Sequence, residues 1–276
     1  MTAIADPQID YVLGRTLAEH QRLLRQGRLI SRISAHFLEV IGLAPGMRVL
    51  DIGAGVGDLS LLAARAVGPS GRVIGIDTDT SALAQARHRA VAEDLHNIVF
   101  HEGDFRVYAP SVQCDAVIGR CVLLHQPNPA TAVEAVLKCP RPGGIIAFQE
   151  PCFSRAFSRP EAPLFQSMLG WLHETVRRSG LNGDIGLQLP SIFEAAGLPT
   201  AKLLFEMLVD CDAESEVYEL CADTVRSLLP RLEQLGISTA EEIGLDTLAE
   251  RLRNEARKLG TVIGIMPLMG AWTNKP

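Results

Sequence analysis

The chain has 276 residues, a net charge of −6 and 47% hydrophobic residues. That is room for one large domain, or a core domain with a smaller cap, around a substantial apolar interior. A pI of about 5.7 gives no basic footprint for nucleic acid.

The six cysteines (114, 121, 139, 152, 211 and 221) include no C-x-x-C pair. This argues against a disulfide framework or a zinc site and fits a reducing cytoplasm. The N-terminus has no basic region followed by an apolar core, so no signal peptide is read. No apolar run approaches the ~20 residues of a membrane span.

Residues 1–8 carry no pattern and are expected to be disordered. From Ile9 to Ile41 apolar residues recur at helical spacing, interrupted by Gly14 and Gly27, which predicts two or three helices. The basic residues Arg15, Arg22, Arg25, Arg28 and Arg32 fall within them and are read as a solvated helix face. Gly42 to Gly46 breaks the chain.

Next comes Val49-Leu-Asp-Ile-Gly-Ala-Gly-Val-Gly-Asp58, a strand running into glycines at 53, 55 and 57 and then a helix from Leu59 to Val67. Glycine supplies positive φ for a tight turn and lets a ligand approach the backbone. The helix start offers free N–H groups to an anionic group. The third glycine arrives one residue earlier than in the dinucleotide pattern G-x-G-x-x-G. Asp51 just before it would repel a pyrophosphate and attract an ammonium group. Both features disfavour a nicotinamide oxidoreductase.

Gly68 to Gly71 is a turn. The strand Val73–Ile76 delivers Asp77, placed to bond ribose hydroxyls. A cation near Asp51 and a ribose on Asp77 together describe S-adenosylmethionine. Thr78 or Thr80 is expected to cap a helix from Ala82 to Glu93. Strands follow at Asn97–His101 and Cys114–Gly119, then a helix at Ala130–Lys138. Pro140–Gly144 is read as a turn and Ile145–Gln149 as a fifth strand. Alternating apolar strands and helices predict an α/β, Rossmann-like, doubly wound sheet. Seven strands are expected, mostly parallel, with the last antiparallel.

Further helices are expected at 160–181, 190–197, 213–229 and 239–259, with strands at 201–208 and 261–269. The domain reading is an N-terminal helical cap segment, 1–42, and a core, 43–276, with cap insertions at about 158–182 and 212–259. Such segments cover the carboxyl ends of strands, where ligands bind in open α/β sheets.

The glycine motif, Asp77, Gly103-Asp-Phe105 and Arg141-Pro-Gly-Gly144 stand in the order of the class I S-adenosylmethionine-dependent methyltransferases. Over residues 47–150 the chain resembles that family, in particular its small-molecule members of bacterial secondary metabolism, with some similarity to the ubiquinone/menaquinone type. The resemblance implies S-adenosyl-L-methionine as cofactor and S-adenosyl-L-homocysteine as product. It places Asp51 near the cofactor amino group and the backbone of Gly53, Ala54 and Gly55 against its amino-acid portion. It puts Asp77 on the ribose, and Thr78, Gly103, Asp104 and Phe105 around the adenine. Arg120 and Cys121 would line the methionine portion.

Methyl transfer is an in-line displacement in which the protein supplies positioning and sometimes a base. His125, beyond the fourth strand, is a candidate base near neutral pH or a packing residue. Glu150, ending the fifth strand beside Gln149, is a candidate base, amine ligand or capping group. Tyr11, His20, Trp171, His173 and Arg177 lie in expected cap helices. Of these, Tyr11, Trp171 and His173, with Gln149, are candidates for the substrate pocket. His173 and Arg177 share a helix face that is either solvent or pocket, and His101 is read as structural. No histidine–carboxylate cluster has metal-ligand spacing, so no metal is expected. The fourth strand ends Gly119-Arg-Cys-Val122, without the Asn/Asp-Pro-Pro-Tyr tetrapeptide of nucleic-acid methyltransferases.

The sequence therefore predicts a cytoplasmic methyltransferase, a monomer or homodimer, acting at O, N or C of a small apolar or aromatic metabolite. A natural-product pathway is one setting for it. The alternative is a cyclase or regulatory protein that binds the cofactor without transferring methyl.

Overall fold

The computed structural model describes residues 13, 14 and 16–276. Tyr11, Arg15 and the expected disorder of residues 1–8 lie outside the described residues. No helix among the described residues is long and apolar enough to cross a membrane.

Two helices, α1 (Leu17–Leu29) and α2 (Ser31–Val40), precede the sheet. The core then runs β1 (Arg48–Ile52), α3 (Asp58–Val67), β2 (Arg72–Asp77), α4 (Thr80–Ala92), β3 (Ile98–Glu102), β4 (Cys114–Arg120), α5 (Pro129–Val136) and β5 (Pro140–Pro151). The C-terminal part adds β6 (Phe157–Arg159), α6 (Pro163–Arg178), α7 (Leu189–Ala195) and β7 (Lys202–Asp210). It ends with α8 (Val217–Gln234), α9 (Ala240–Ile243), α10 (Leu248–Leu259) and β8 (Val262–Asn274).

The sheet has eight strands in the order β3-β2-β1-β4-β5-β8-β6, with β7 on the other edge of β8. Strands β1 to β5 pair in parallel. Strand β8 runs antiparallel to β5, β6 and β7. The eighth strand is β6, three residues pairing at Gly264–Val262, too short to show a period in sequence.

Successive strand residues point to opposite faces, and this sorts the core. Leu50, Ile52, Val117, Ile146 and Phe148 pack with α5 and α7. Val49, Val73, Ala116, Ile118 and Ala147 pack with α2, α3 and α4. A third apolar cluster joins α6, α8 and α10 to the start of β8 through Phe165, Met168, Val225, Leu252 and Ile263.

Several boundaries differ from expectation. The cap of α4 is Asp79, whose carboxylate accepts from Ser81 N (2.9 Å) and Ala82 N (3.0 Å), not Thr78 or Thr80. Asp79 is extended before the helix, the geometry a cap needs. Pro140–Gly144 belongs to β5, because Pro140 pairs with Cys114. Helix α8 starts four residues late and runs through Pro230 to Gln234. The segment 239–259 splits at Gly244, whose φ of 62° ends α9.

The arginine run is not one solvated face. Arg22 is 4% exposed and held by both Glu19 oxygens (2.7 Å each), while Arg25 and Arg28 bridge to Glu216 and Arg25 also to Asp223 on α8. Helix α1 therefore buries a polar stripe, Glu19, His20, Arg22 and Gln26, rather than an apolar one.

Candidate functional site

The strand order reverses between β1 and β4, the place where open α/β sheets bind ligands. Gly53 and Gly55 have φ of 67° and 51°. A Cβ on Gly53 would lie 2.7 Å from Val122 Cγ2, so the loops after β1 and β4 touch here. A Cβ on Gly55 would meet nothing within 4 Å, because it would point into open space. Gly57, at φ 87°, is the cap residue of α3.

That open space is a cleft of about 490 Å³. Gly53, Ala54, Gly55, Asp77, Thr78, Gly103, Asp104, Phe105, Arg120 and Cys121 all line it. Asp51 does not. It lies beneath the turn, 1% exposed, and accepts a hydrogen bond from Ser60 Oγ at 2.5 Å. Burial pushes its pKa up to about 7, although the Ser60 hydrogen bond and the Arg120 cation pull the other way.

Asp77 braces the turn as well as facing the cleft. Its carboxylate accepts from Gly55 N and Asp79 N, both at 2.8 Å, and burial raises its pKa. The Thr78 backbone N–H bonds the same carboxylate, so three backbone donors hold it at the cleft. Asp104 accepts two bonds from the Arg106 guanidinium, at 2.6 and 2.9 Å to Oδ2, which lowers its pKa. Arg120 donates to Ser34 Oγ (2.8 Å) and lies 3.5 Å from Asp58, which also pairs with Arg89 at 2.7 Å.

A second cavity, about 130 Å³, adjoins the cleft beneath α1, α6 and α8. Leu23, Gln26, Cys121 and His125 line both spaces. Its remaining wall is mainly apolar: Leu124, Met168, Leu172, Val176, Leu220 and Ile265 among others. Helix α6 turns Met168, Leu169, Leu172 and Val176 toward it.

Not every expected pocket residue lines it. Trp171 and His173 are absent from the cavity wall: Trp171 packs against the third apolar cluster, and His173 stacks on Phe153 with ring centroids 6.4 Å apart. Both are off the 168–169–172–176 stripe of α6. Arg177 is exposed and bonded to Glu174. Gln149 is buried and accepts from Ser34 Oγ (3.1 Å). His20 bridges Asp79 and Gln85, each at 3.1 Å, tying α1 to α4. His101 is exposed beside Tyr108.

Glu150 lines neither space. It is fully buried, and its carboxylate accepts the backbone N–H groups of Val122 (2.9 Å), Leu123 (2.8 Å) and Leu124 (3.3 Å). It therefore caps the 3₁₀ turn Leu123–His125 rather than facing the cleft. Burial pushes its pKa up to about 7. His125 sits on that turn, with its pKa pushed down to about 4 by burial and then by the Arg22 cation. At neutral pH it is an uncharged imidazole and a weak base.

Gln26, Ser34 and Asp58 join the site without having been expected there, and Arg22, expected on a solvated face, is buried at it. Glu19, Arg22 and Gln26 are three and four apart and satisfy one another on one helix face. That spacing was the available signal for a buried polar stripe.

A family model for a methyltransferase domain matches residues 43–193, more than half of the chain. The chain belongs to the methyltransferase-domain family. It is 33% identical over 191 residues to an arsenite methyltransferase of Halobacterium salinarum, covering 68% of this chain and 48% of that protein. It is 24% identical over 207 residues to a trans-aconitate 2-methyltransferase of an Azoarcus species, covering 75% and 73%. The chain spans about half the length of the first of these relatives. The solved YcgJ protein of Bacillus subtilis has the same fold at 17% identity, with a TM-score of 0.55 over 89% of this chain and 100% of that one.

The methyltransferase site fits a cofactor that joins an amino acid to a nucleoside. The open side of Gly55 leaves room for backbone approach, and Gly103, at φ 158°, has nothing within 4 Å of its Cβ position. Asp51 is a buried carboxyl whose ionised form lacks a full counter-charge, the environment that welcomes an ammonium group. Among the described residues no three His, Cys, Asp or Glu side chains group as metal ligands.

Proposed function

We propose that this protein transfers a methyl group from S-adenosylmethionine to a small, largely apolar metabolite held under α1, α6 and α8. The observation that carries the reading is the shared wall. Leu23, Gln26, Cys121 and His125 border both the cofactor cleft and the apolar cavity. An acceptor lying in the second space meets the first only there.

In this reading Arg120, on the cleft wall, takes the carboxylate of the cofactor's amino-acid portion, while Asp51, buried beneath the turn, favours its ammonium through its charge rather than by direct contact. Asp77 takes the ribose hydroxyls, while Thr78, Asp104 and Phe105 border the adenine. The bound cofactor supplies an electrophilic methyl on a sulfonium. The chain's own residues orient and exclude water: Glu150 fixes the turn that carries His125, and α1 covers the cavity through its salt bridges to α8. The segments 16–42, 158–182 and 212–259 then serve as a cap on a core that holds the cofactor.

Names of relatives point to small acceptors, arsenite in one case and trans-aconitate in another. The test is incubation with methyl-labelled S-adenosylmethionine and a panel of small apolar acids, phenols and amines. Label in an extracted product supports the reading. Saturable cofactor binding with no label in any acceptor, across the panel, counts against transferase activity. A cytoplasmic setting and a place in secondary metabolism accompany this reading.

A further inference from the structure

The cavity under α1, α6 and α8 has an uneven polar inventory. Arg22 is the one side chain on its wall that carries a full charge among the described residues, since His125 is held neutral. Among the described residues no Asp or Glu lines it. Arg22 is 4% exposed and rigidly aimed: Nε and Nη2 donate to Glu19, at 2.7 Å each, and Nη1 donates to Gln26 Oε1 at 2.6 Å. Gln26 itself stands on the wall shared with the cofactor cleft.

Resting on the methyltransferase reading, we infer that the acceptor is an apolar acid that reacts through an anionic oxygen, a carboxylate or phenolate, directed to the shared wall by Arg22. An anionic oxygen is a stronger partner for a guanidinium than the neutral amide oxygen of Gln26, so it displaces Gln26 from Nη1. An ammonium acceptor finds no carboxylate among the described wall residues, since Glu19 is bound to Arg22, and a buried unpaired charge is strongly disfavoured.

The chemistry agrees with the surroundings. In the transfer, an oxygen lone pair forms the new O–CH₃ bond. The S–CH₃ bond breaks, and its electron pair stays on sulfur. Anion and sulfonium become two neutral molecules, and no proton has to move. Charge neutralisation is favoured where water is scarce, as in this apolar cavity. A base is not required, which suits an imidazole of low basicity at position 125.

The test uses three probes of one shape: benzoate, benzylamine and benzyl alcohol. Each is titrated into the full chain by calorimetry, with and without S-adenosylhomocysteine. Benzoate is expected to bind at least about 10-fold more tightly than the other two. Arg22→Met should erase that preference while S-adenosylhomocysteine still binds. Because Glu19 neutralises Arg22, Glu19→Gln should tighten benzoate several-fold, a gain that loss of structure cannot mimic. Benzylamine binding as well as benzoate, no benzoate binding, or an unchanged preference in Arg22→Met would each overturn the inference. Failure of S-adenosylhomocysteine to bind the wild type would instead count against the methyltransferase reading.

Discussion

Gly27 of α1 lies directly against Asp58 of α3: a methyl on Gly27 would stand 2.3 Å from the Asp58 carboxyl carbon. Asp58 is not free to yield, because Arg89 holds it at 2.7 Å and Arg120 lies 3.5 Å away. The missing Cβ thus lets α1 dock on the start of α3, beside the glycine turn.

Gly27→Ala tests this contact with opposing terms. In an open helix the change would add about 1 kcal/mol of stability. Here the clash is expected to win, with a lower melting temperature and at least several-fold weaker S-adenosylhomocysteine binding. A stabilised protein with unchanged binding would show that α1 is not seated on Asp58.

The Glu150 cap predicts a folding effect rather than a chemical one. Glu150→Gln keeps the shape but turns an amide N–H₂ toward backbone donors. The turn at Leu123–His125 should loosen and stability should fall by about 1–3 kcal/mol, the cost of leaving buried donors unsatisfied. Amide hydrogen exchange at Val122, Leu123 and Leu124 is the measurement. Unchanged protection with full loss of activity would restore Glu150 as a reacting group.

Asp51 and Glu150 set a pH dependence with a definite sign. Both pKa values are raised by burial, from 3.8 and 4.5 to about 7. Between those limits the folded protein holds protons that the unfolded chain releases, so stability falls as pH rises through that window. The melting temperature without ligand should be higher at pH 5.5 than at pH 8, and Asp51→Asn should flatten the slope. A melting temperature that climbs from pH 5.5 to pH 8 would contradict the buried placement of these carboxyls.

Asp51 should also ionise when an ammonium group binds above it. Cofactor affinity is then expected to strengthen from pH 6 to pH 8, with proton release in calorimetry at pH 6.5 when buffers of different ionisation enthalpy are compared. Uptake of a proton would contradict this.

The sheet and the cleft at its switch point were legible because their signals are local. Glycines at 53, 55 and 57 follow a strand, and Asp77 closes the next one. Apolar alternation fixes which face Leu50 and Val49 take. The cavity beneath α1, α6 and α8 was harder to read, since it depends on which way helices turn. Trp171 and His173 are aromatic residues in the correct helix, yet Leu172 and Val176 carry its cavity face. Glu150 ends a strand beside the cleft, but three backbone N–H groups from another loop claim it. Arg22 looked like a surface charge because its partners, Glu19 and Gln26, look equally like surface residues until the fold buries all three. Tertiary packing decided each of these cases.

The most direct measurement is the affinity of the full chain for S-adenosylhomocysteine and for NAD, with Asp77→Ala alongside. Saturable binding of S-adenosylhomocysteine, no measurable binding of NAD, and a loss of 10-fold or more in Asp77→Ala are expected. Binding of NAD in preference to S-adenosylhomocysteine, or S-adenosylhomocysteine binding indifferent to Asp77, would contradict the assignment of the glycine turn and its two acids to this cofactor.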